Sequence, residues 1–97
     1  MISLAAIDST RWVLDTGSNF NICNMLQGLK INRKLKKGEV SLQVGNGASV
    51  AALVVGDIYL LMSTRKTLLL ENCYYVPKFF SNIISILSYT KGDFIQF

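Results

Sequence analysis

Ninety-seven residues are enough for one domain, and with 51% apolar and 16% charged residues the chain can close a packed core. The net charge is +4, histidine is absent, and Cys23 and Cys73 are the two cysteines. That inventory leaves too few ligands for a Cys/His zinc site and excludes Ser-His-Asp and Cys-His nucleophile systems. Any chemistry must run on carboxylates, hydroxyls or lysine; no cofactor or metal is expected, and the two cysteines read as buried thiols.

Val, Ile, Leu, Tyr and Thr are abundant beside seven glycines, a mixture that favours β-structure over a helical bundle. Residues 1–7 lack the basic start and long apolar run of a secretion signal. Trp12-Val13-Leu14 is a brief apolar run that halts at the turn formers Asp15-Thr16-Gly17-Ser18-Asn19, which predicts a strand ending in a tight loop. A strand resumes over residues 20–23. Residues 26–37 show no clean apolar stripe and read as a loop or short frayed helix. Lys30, Arg33, Lys34, Lys36 and Lys37 all fall in this stretch. A cluster of this kind is usually a solvated surface, and no aromatic side chain is interleaved with it to stack on bases, so nucleic acid is not the expected partner.

Residues 39–44 alternate polar and apolar side chains and run into Gly45-Asn46-Gly47, a strong hairpin signal whose second arm is residues 50–55. The apolar stretch from 50 to 62 is interrupted by Gly56 and Asp57 and is too short to span a bilayer, so a soluble, intracellular protein is expected. Strands are predicted over 58–62, 67–71 and 73–76, with Pro77 closing the series. Residues 82–87 form an apolar strand passing into a short helix that Gly92 stops, which leaves 93–97 as a terminal strand. The expected fold is all-β: one small, mostly antiparallel β-barrel over residues 1–97, with one short helix near the C-terminus.

Asp15 is the only aspartate followed by a hydroxyl residue and then glycine. Gly17 would let the backbone approach closely where a Cβ would obstruct. Thr16 offers a hydroxyl able to lock two such loops together across an axis, and Ser18 one able to hydrogen-bond the outer carboxylate oxygen. One carboxylate alone is a poor peptidase. Two held a few ångströms apart cannot both ionise, so one keeps a proton while the other acts as base toward water. The chain carries one such loop, so the second carboxylate would come from a second copy related by a two-fold axis. Taken alone, the tripeptide is a weak signal that more often marks an ordinary Asx-type turn.

Four motifs in order extend the reading: Trp12-Val13-Leu14-Asp15-Thr16-Gly17, Val44-Gly45-Asn46-Gly47, Cys73-Tyr74-Tyr75-Val76-Pro77 and Asn82-Ile83-Ile84-Ser85. From about residue 11 onward, this set resembles the protease region of plant copia-type LTR retrotransposon Pol polyproteins. The resemblance implies a retropepsin-like β-barrel, an aspartic endopeptidase that works as a homodimer and cleaves the Gag-Pol precursor, in the cytoplasm or within virus-like particles. It implies that Asp15 is catalytic, with Thr16 and Gly17 completing its loop. Gly45, Asn46 and Gly47 would form a flap over bound peptide, and Ser18, Asn82, Ile83, Ile84 and Ser85 would support the site. The terminal segments 2–7 and 93–97 would carry dimer contacts, and Met1 and Phe97 read as cuts through a longer polyprotein.

The sequence departs from the family pattern at several places. Asn21 stands where a histidine is usual, Asn19 and Phe20 where small residues are common, and Phe20 brings bulk near Asp15. Retroviral relatives have glycine in place of Ser85, whereas serine is usual in the copia type. Two other functional classes fit the same residues: a catalytically inactive Pol β-barrel remnant serving as a structural, dimerisation or peptide-binding module, and an RNA-binding module built on residues 30–37.

Overall fold

The computed structural model describes residues 4–5, 12–15, 17–44, 46–61, 65–85 and 94–95. Thr16, Gly45, the helix expected before Gly92 and most of segments 2–7 and 93–97 lie outside the described residues. The described strands are β1 (Leu4–Ala5), β2 (Trp12–Asp15), β3 (Asn21–Cys23), β4 (Leu29–Lys34) and β5 (Ser41–Gln43), followed by β6 (Ser49–Ala51), β7 (Val54–Leu61), β8 (Thr67–Tyr75), β9 (Asn82–Ser85) and β10 (Phe94–Ile95). One sheet runs in the order β1-β7-β8-β3-β9-β2, with β4 added to β7 and β10 to β8, while β5 and β6 form a separate hairpin. Pairing is antiparallel except between β1 and β7, β2 and β9, and β3 and β8. The domain is all-β and barrel-like, as the composition predicts.

Side-chain alternation along β3 and β9 explains the core. Cys23 and Ile84 point into one cluster with Ile58, Leu60, Leu68, Leu70 and Cys73. Their chain neighbours Ile22 and Ile83 point into a second cluster with Ala52 and Val76. Adjacent residues on a strand face opposite sides, so β3 and β9 are covered on both faces and every residue in them is buried. Each large aliphatic side chain in these clusters contributes roughly 1.5–3 kcal/mol by leaving water. Strand β3, which follows the Asp15 loop, and β9, which runs beside β2, are therefore among the most firmly held of the described strands.

Within residues 26–37, predicted as a loop or frayed helix, Leu29–Lys34 form the strand β4, with turns or irregular chain on either side. Its side chains are exposed except for the half-buried Leu29, so no apolar periodicity marks it. What makes it a strand is antiparallel pairing to β7 from Leu29↔Ile58 to Lys34↔Val54, with an irregularity between Ile31 and Arg33. That pairing depends on Gly56, opposite Ile31: a Cβ there would collide with the Lys30 carbonyl group and lie 3.0 Å from Ile31 Cα. The end of β4 is stapled by Arg33, whose guanidinium donates to both Glu39 oxygens at 3.1 and 2.6 Å, while Glu39 also accepts from the Lys36 N–H.

Two other boundaries differ from expectation. The hairpin's second arm ends at Ala51; the chain turns at Ala52 and Leu53, whose N–H groups donate to Val40 and Tyr75, and β7 then begins at Val54. The strands expected over 67–71 and 73–76 are one strand, β8, with a bulge. Gly56 pairs with Cys73 and Ile58 with Leu70, so Asp57 opposes two residues, Glu71 and Asn72. Asn72 takes a positive φ of 55°, a conformation asparagine tolerates, and its N–H donates to Asp57 Oδ1 at 3.2 Å.

Candidate active-site loop

Asp15 is the last residue of β2, an edge strand joined to the sheet through parallel pairing with β9. The register runs from Trp12↔Asn82 to Asp15↔Ser85, so the Asn-Ile-Ile-Ser segment lies alongside the strand that delivers the aspartate. Trp12 packs on the first core cluster and anchors the start of β2, while Val13 and Leu14 are 47% and 42% exposed. A strand with two apolar side chains in solvent at a sheet edge is available for contact with another surface.

Beyond Asp15 the chain turns. The Ser18 N–H donates to the Asp15 carbonyl at 3.2 Å, and the Gly17 N–H donates to Asp15 Oδ1 at 2.8 Å. The half-exposed carboxylate is thus oriented by its own loop, as in an Asx-type turn. Ser18 does not serve as the expected partner of the outer carboxylate oxygen: its hydroxyl donates to the Phe20 carbonyl at 2.7 Å and accepts from the Phe20 N–H at 3.1 Å. Phe20 is not packed into the loop; its ring meets Tyr74 edge-on at 5.4 Å. Glycine at position 17 is not demanded by packing within the chain. A Cβ there would meet Asp15 Oδ1 at 3.4 Å, an ordinary contact, and the residue is exposed.

The four β9 residues occupy distinct places, and of them Ser85 is the one bonded to the turn among the described residues. Asn82 Oδ1 accepts the Asn24 N–H at 2.9 Å and ties β9 to the end of β3 remote from the loop. Ile83 and Ile84 enter the two core clusters from opposite faces. Ser85 Oγ donates to the Ser18 carbonyl at 2.9 Å, joining β9 directly to the turn. Asn21, singled out in the sequence only as a departure, is 4% exposed; it donates from Nδ2 to the Glu71 carbonyl at 3.1 Å and accepts the Ser85 N–H on Oδ1 at 2.8 Å. A polar residue heading a short apolar strand was the available signal for it.

Asn46 and Gly47 lie in the turn of the β5–β6 hairpin. The Gly47 N–H donates to the Val44 carbonyl at 2.9 Å, Asn46 Oδ1 accepts the Ala48 N–H at 2.9 Å, and Gly47 has φ of +82°, where a side chain would be strained. Leu42 and Val50 pack against the cluster containing Ile22 and Ile83, while Ser41, Gln43, Ser49 and Ala51 face solvent. The hairpin therefore rests on that cluster, and Asn46, Gly47 and Ala48 at its turn are exposed. The basic residues lie on β4 and the turn after it, and all five are exposed.

Cys23 and Cys73 are free, buried and hydrogen-bonded to each other in the first cluster. The hydrogen bond to Cys23, reinforced by burial, pushes the Cys73 thiol well above the ordinary thiol range.

Neither a curated protein nor a solved structure matches the chain. A family model described as Pol polyprotein, beta-barrel domain, matches residues 12–94, a span that takes in β2, the aspartate loop, the hairpin and β9. A match over that much of the sequence, together with the all-β architecture around the loop, means that the chain belongs to the Pol polyprotein beta-barrel domain family.

Proposed function

We propose that this domain is the aspartic endopeptidase of a copia-type retrotransposon Pol polyprotein, active as a homodimer on extended polypeptide of the Gag-Pol precursor. The observation that carries the reading is the Asp15 loop. A half-exposed carboxylate ends an edge strand, the Gly17 N–H holds one of its oxygens at 2.8 Å, and the position after next is a glycine that the subunit's own packing does not require. Space left open beside a carboxylate at an edge suits a second copy of the loop and a substrate backbone.

In such a dimer the two Asp15 carboxyl groups share one proton. The ionised member takes a proton from a water as that water attacks the scissile carbonyl, and the protonated member stabilises the developing oxyanion before a proton passes to the leaving nitrogen. The exposed Val13 and Leu14 on β2 give the second copy an apolar surface to cover. Thr16 is the residue assigned to the contact between loops. The hairpin tip at Gly45, Asn46 and Gly47 is assigned the flap, since an extended peptide can be recognised by backbone pairing to such an edge.

The test is co-expression of the full chain with a Gag-Pol precursor, beside Asp15→Asn, and sedimentation of both proteins. Processing by the parent and none by the variant is the expected result. Equal processing by both, or a folded monomer at every concentration, would sink the proposal.

A further inference from the structure

A chain of hydrogen bonds connects a buried side chain that no catalytic role requires to the turn that carries Asp15. Asn21 opens β3, is 4% exposed, and bridges two other strands: Nδ2 donates to the Glu71 carbonyl of β8 and Oδ1 accepts the Ser85 N–H of β9. Ser85, 1% exposed, passes the restraint on through its hydroxyl to the Ser18 carbonyl at 2.9 Å. Ser18 in turn donates its N–H to the Asp15 carbonyl, and the residue before it donates to the Asp15 carboxylate. We infer that Asn21 is a positioning residue for the Asp15 loop, acting through Ser85 and Ser18 without touching substrate.

The geometry distinguishes this from generic core support. An amide is the one uncharged side chain of this length with a donor and an acceptor at its tip, and here each meets a backbone group on a different strand. An apolar residue of similar size would fill the space but leave the Glu71 carbonyl and the Ser85 N–H without those partners, in a setting where a buried polar group is costly to leave unmade. Ser85 then loses one of the contacts that hold its backbone beside its pairing with Asp15, and the direction of its hydroxyl toward Ser18 follows from that backbone. Among the described residues the turn's own hydrogen bonds run within residues 15–20, and beside the Asp15↔Ser85 strand pairing the Ser85 hydroxyl adds a second tie from the turn to β9.

The inference deepens the proposed protease reading and rests on it for its catalytic consequence, but its structural consequence can be read separately. The experiment compares the full chain with Asn21→Ala, Ser85→Ala and Ser85→Thr at a temperature where all are folded. Amide hydrogen exchange is followed at Gly17 and Ser18, and kcat and KM are measured on a peptide substrate, with Asp15→Asn as the blank. Asn21→Ala and Ser85→Ala are each expected to speed exchange at Gly17 and Ser18 at least tenfold. They should also lower kcat about ten- to a hundredfold while KM stays within about threefold. Ser85→Thr, which keeps the hydroxyl, should restore both readouts, and the Asn21→Ala/Ser85→Ala double variant should be little worse than either single one, as expected of groups acting in series.

A role confined to stability would lower the melting temperature of Asn21→Ala yet leave loop exchange and kcat per folded molecule unchanged; that result overturns the inference. If the parent chain cleaves no better than the Asp15→Asn blank, the protease reading fails, and the exchange rates alone then decide the positioning role in either direction.

Discussion

Replacing Gly56 with alanine tests the account of why a basic, exposed segment folds as a strand. The new Cβ would sit against the Lys30 carbonyl oxygen, 2.8 Å from its carbon and 3.0 Å from Ile31 Cα. Ordinary contact begins at 3.4 Å, so the carbonyl carbon must retreat by about 0.6 Å (3.4 minus 2.8), and the oxygen by more. All three atoms are backbone, so no rotamer change relieves the clash. Strand β4 must slide or lift from β7 near the Ile31↔Gly56 pair, beside the irregularity already present at Ile31/Arg33. Overpacking of this kind costs about 1–3 kcal/mol, against roughly 0.4–1 kcal/mol recovered from the stiffer unfolded chain. For a domain of this size, a net loss of about 1–2 kcal/mol lowers Tm on the order of 4–15 °C. The assay is thermal unfolding followed by circular dichroism, joined to amide exchange across residues 29–34. The melting temperature should fall and protection should be lost first in β4. An unchanged Tm with full protection of β4 would refute the claim that close backbone approach at Gly56 creates this strand.

Three further outcomes follow from other parts of the structure. The hydrogen bonds from Arg33 and then from the Lys36 N–H hold the Glu39 carboxyl at about 2, below its ordinary 4.5, so its ionised form stabilises the fold fully above pH 4.5 and that contribution is lost as pH falls through about 2. Urea melts from pH 2 to 6 should show the parent's advantage over Glu39→Gln shrinking at the acid end; a constant difference would contradict the assignment. Thr67 Oγ1 is a buried side-chain oxygen without a hydrogen-bond partner among the described residues, so Thr67→Val should stabilise by about 1 kcal/mol, and a lower Tm would show that the hydroxyl has a partner. Cys23 and Cys73 are 1% and 0% exposed, and thiol reagents should label them only at the rate of global unfolding; fast labelling of the native protein would contradict their burial.

Much of the architecture is legible from residue order. Trp12-Val13-Leu14 before a cluster of turn formers marks β2 and its loop, the alternation before Gly45-Asn46-Gly47 marks the hairpin, and the apolar segment over residues 82–87 marks the strand β9. Such signals are local: they depend on which side chains can tolerate water and which backbones can turn. The candidate aspartate is legible for the same reason, because its chemistry is concentrated in three consecutive residues.

What escaped the sequence is everything that depends on distant partners. Strand β4 has no pattern of its own and exists because β7 offers a pairing edge with a glycine at the contact. The division at Asn72 reads locally as a break between strands, yet β7 runs past it and turns it into a bulge capped by Asp57. Asn21 reads as a mere substitution until the fold sets Glu71 on one side of it and Ser85, 64 residues away in sequence, on the other. Chain order alone marked most of the strands and singled out Asp15 as the candidate carboxylate. Only tertiary structure decided which backbones meet, because the hydrogen bonds that bind one strand to the next are made by groups every residue shares and no side chain announces.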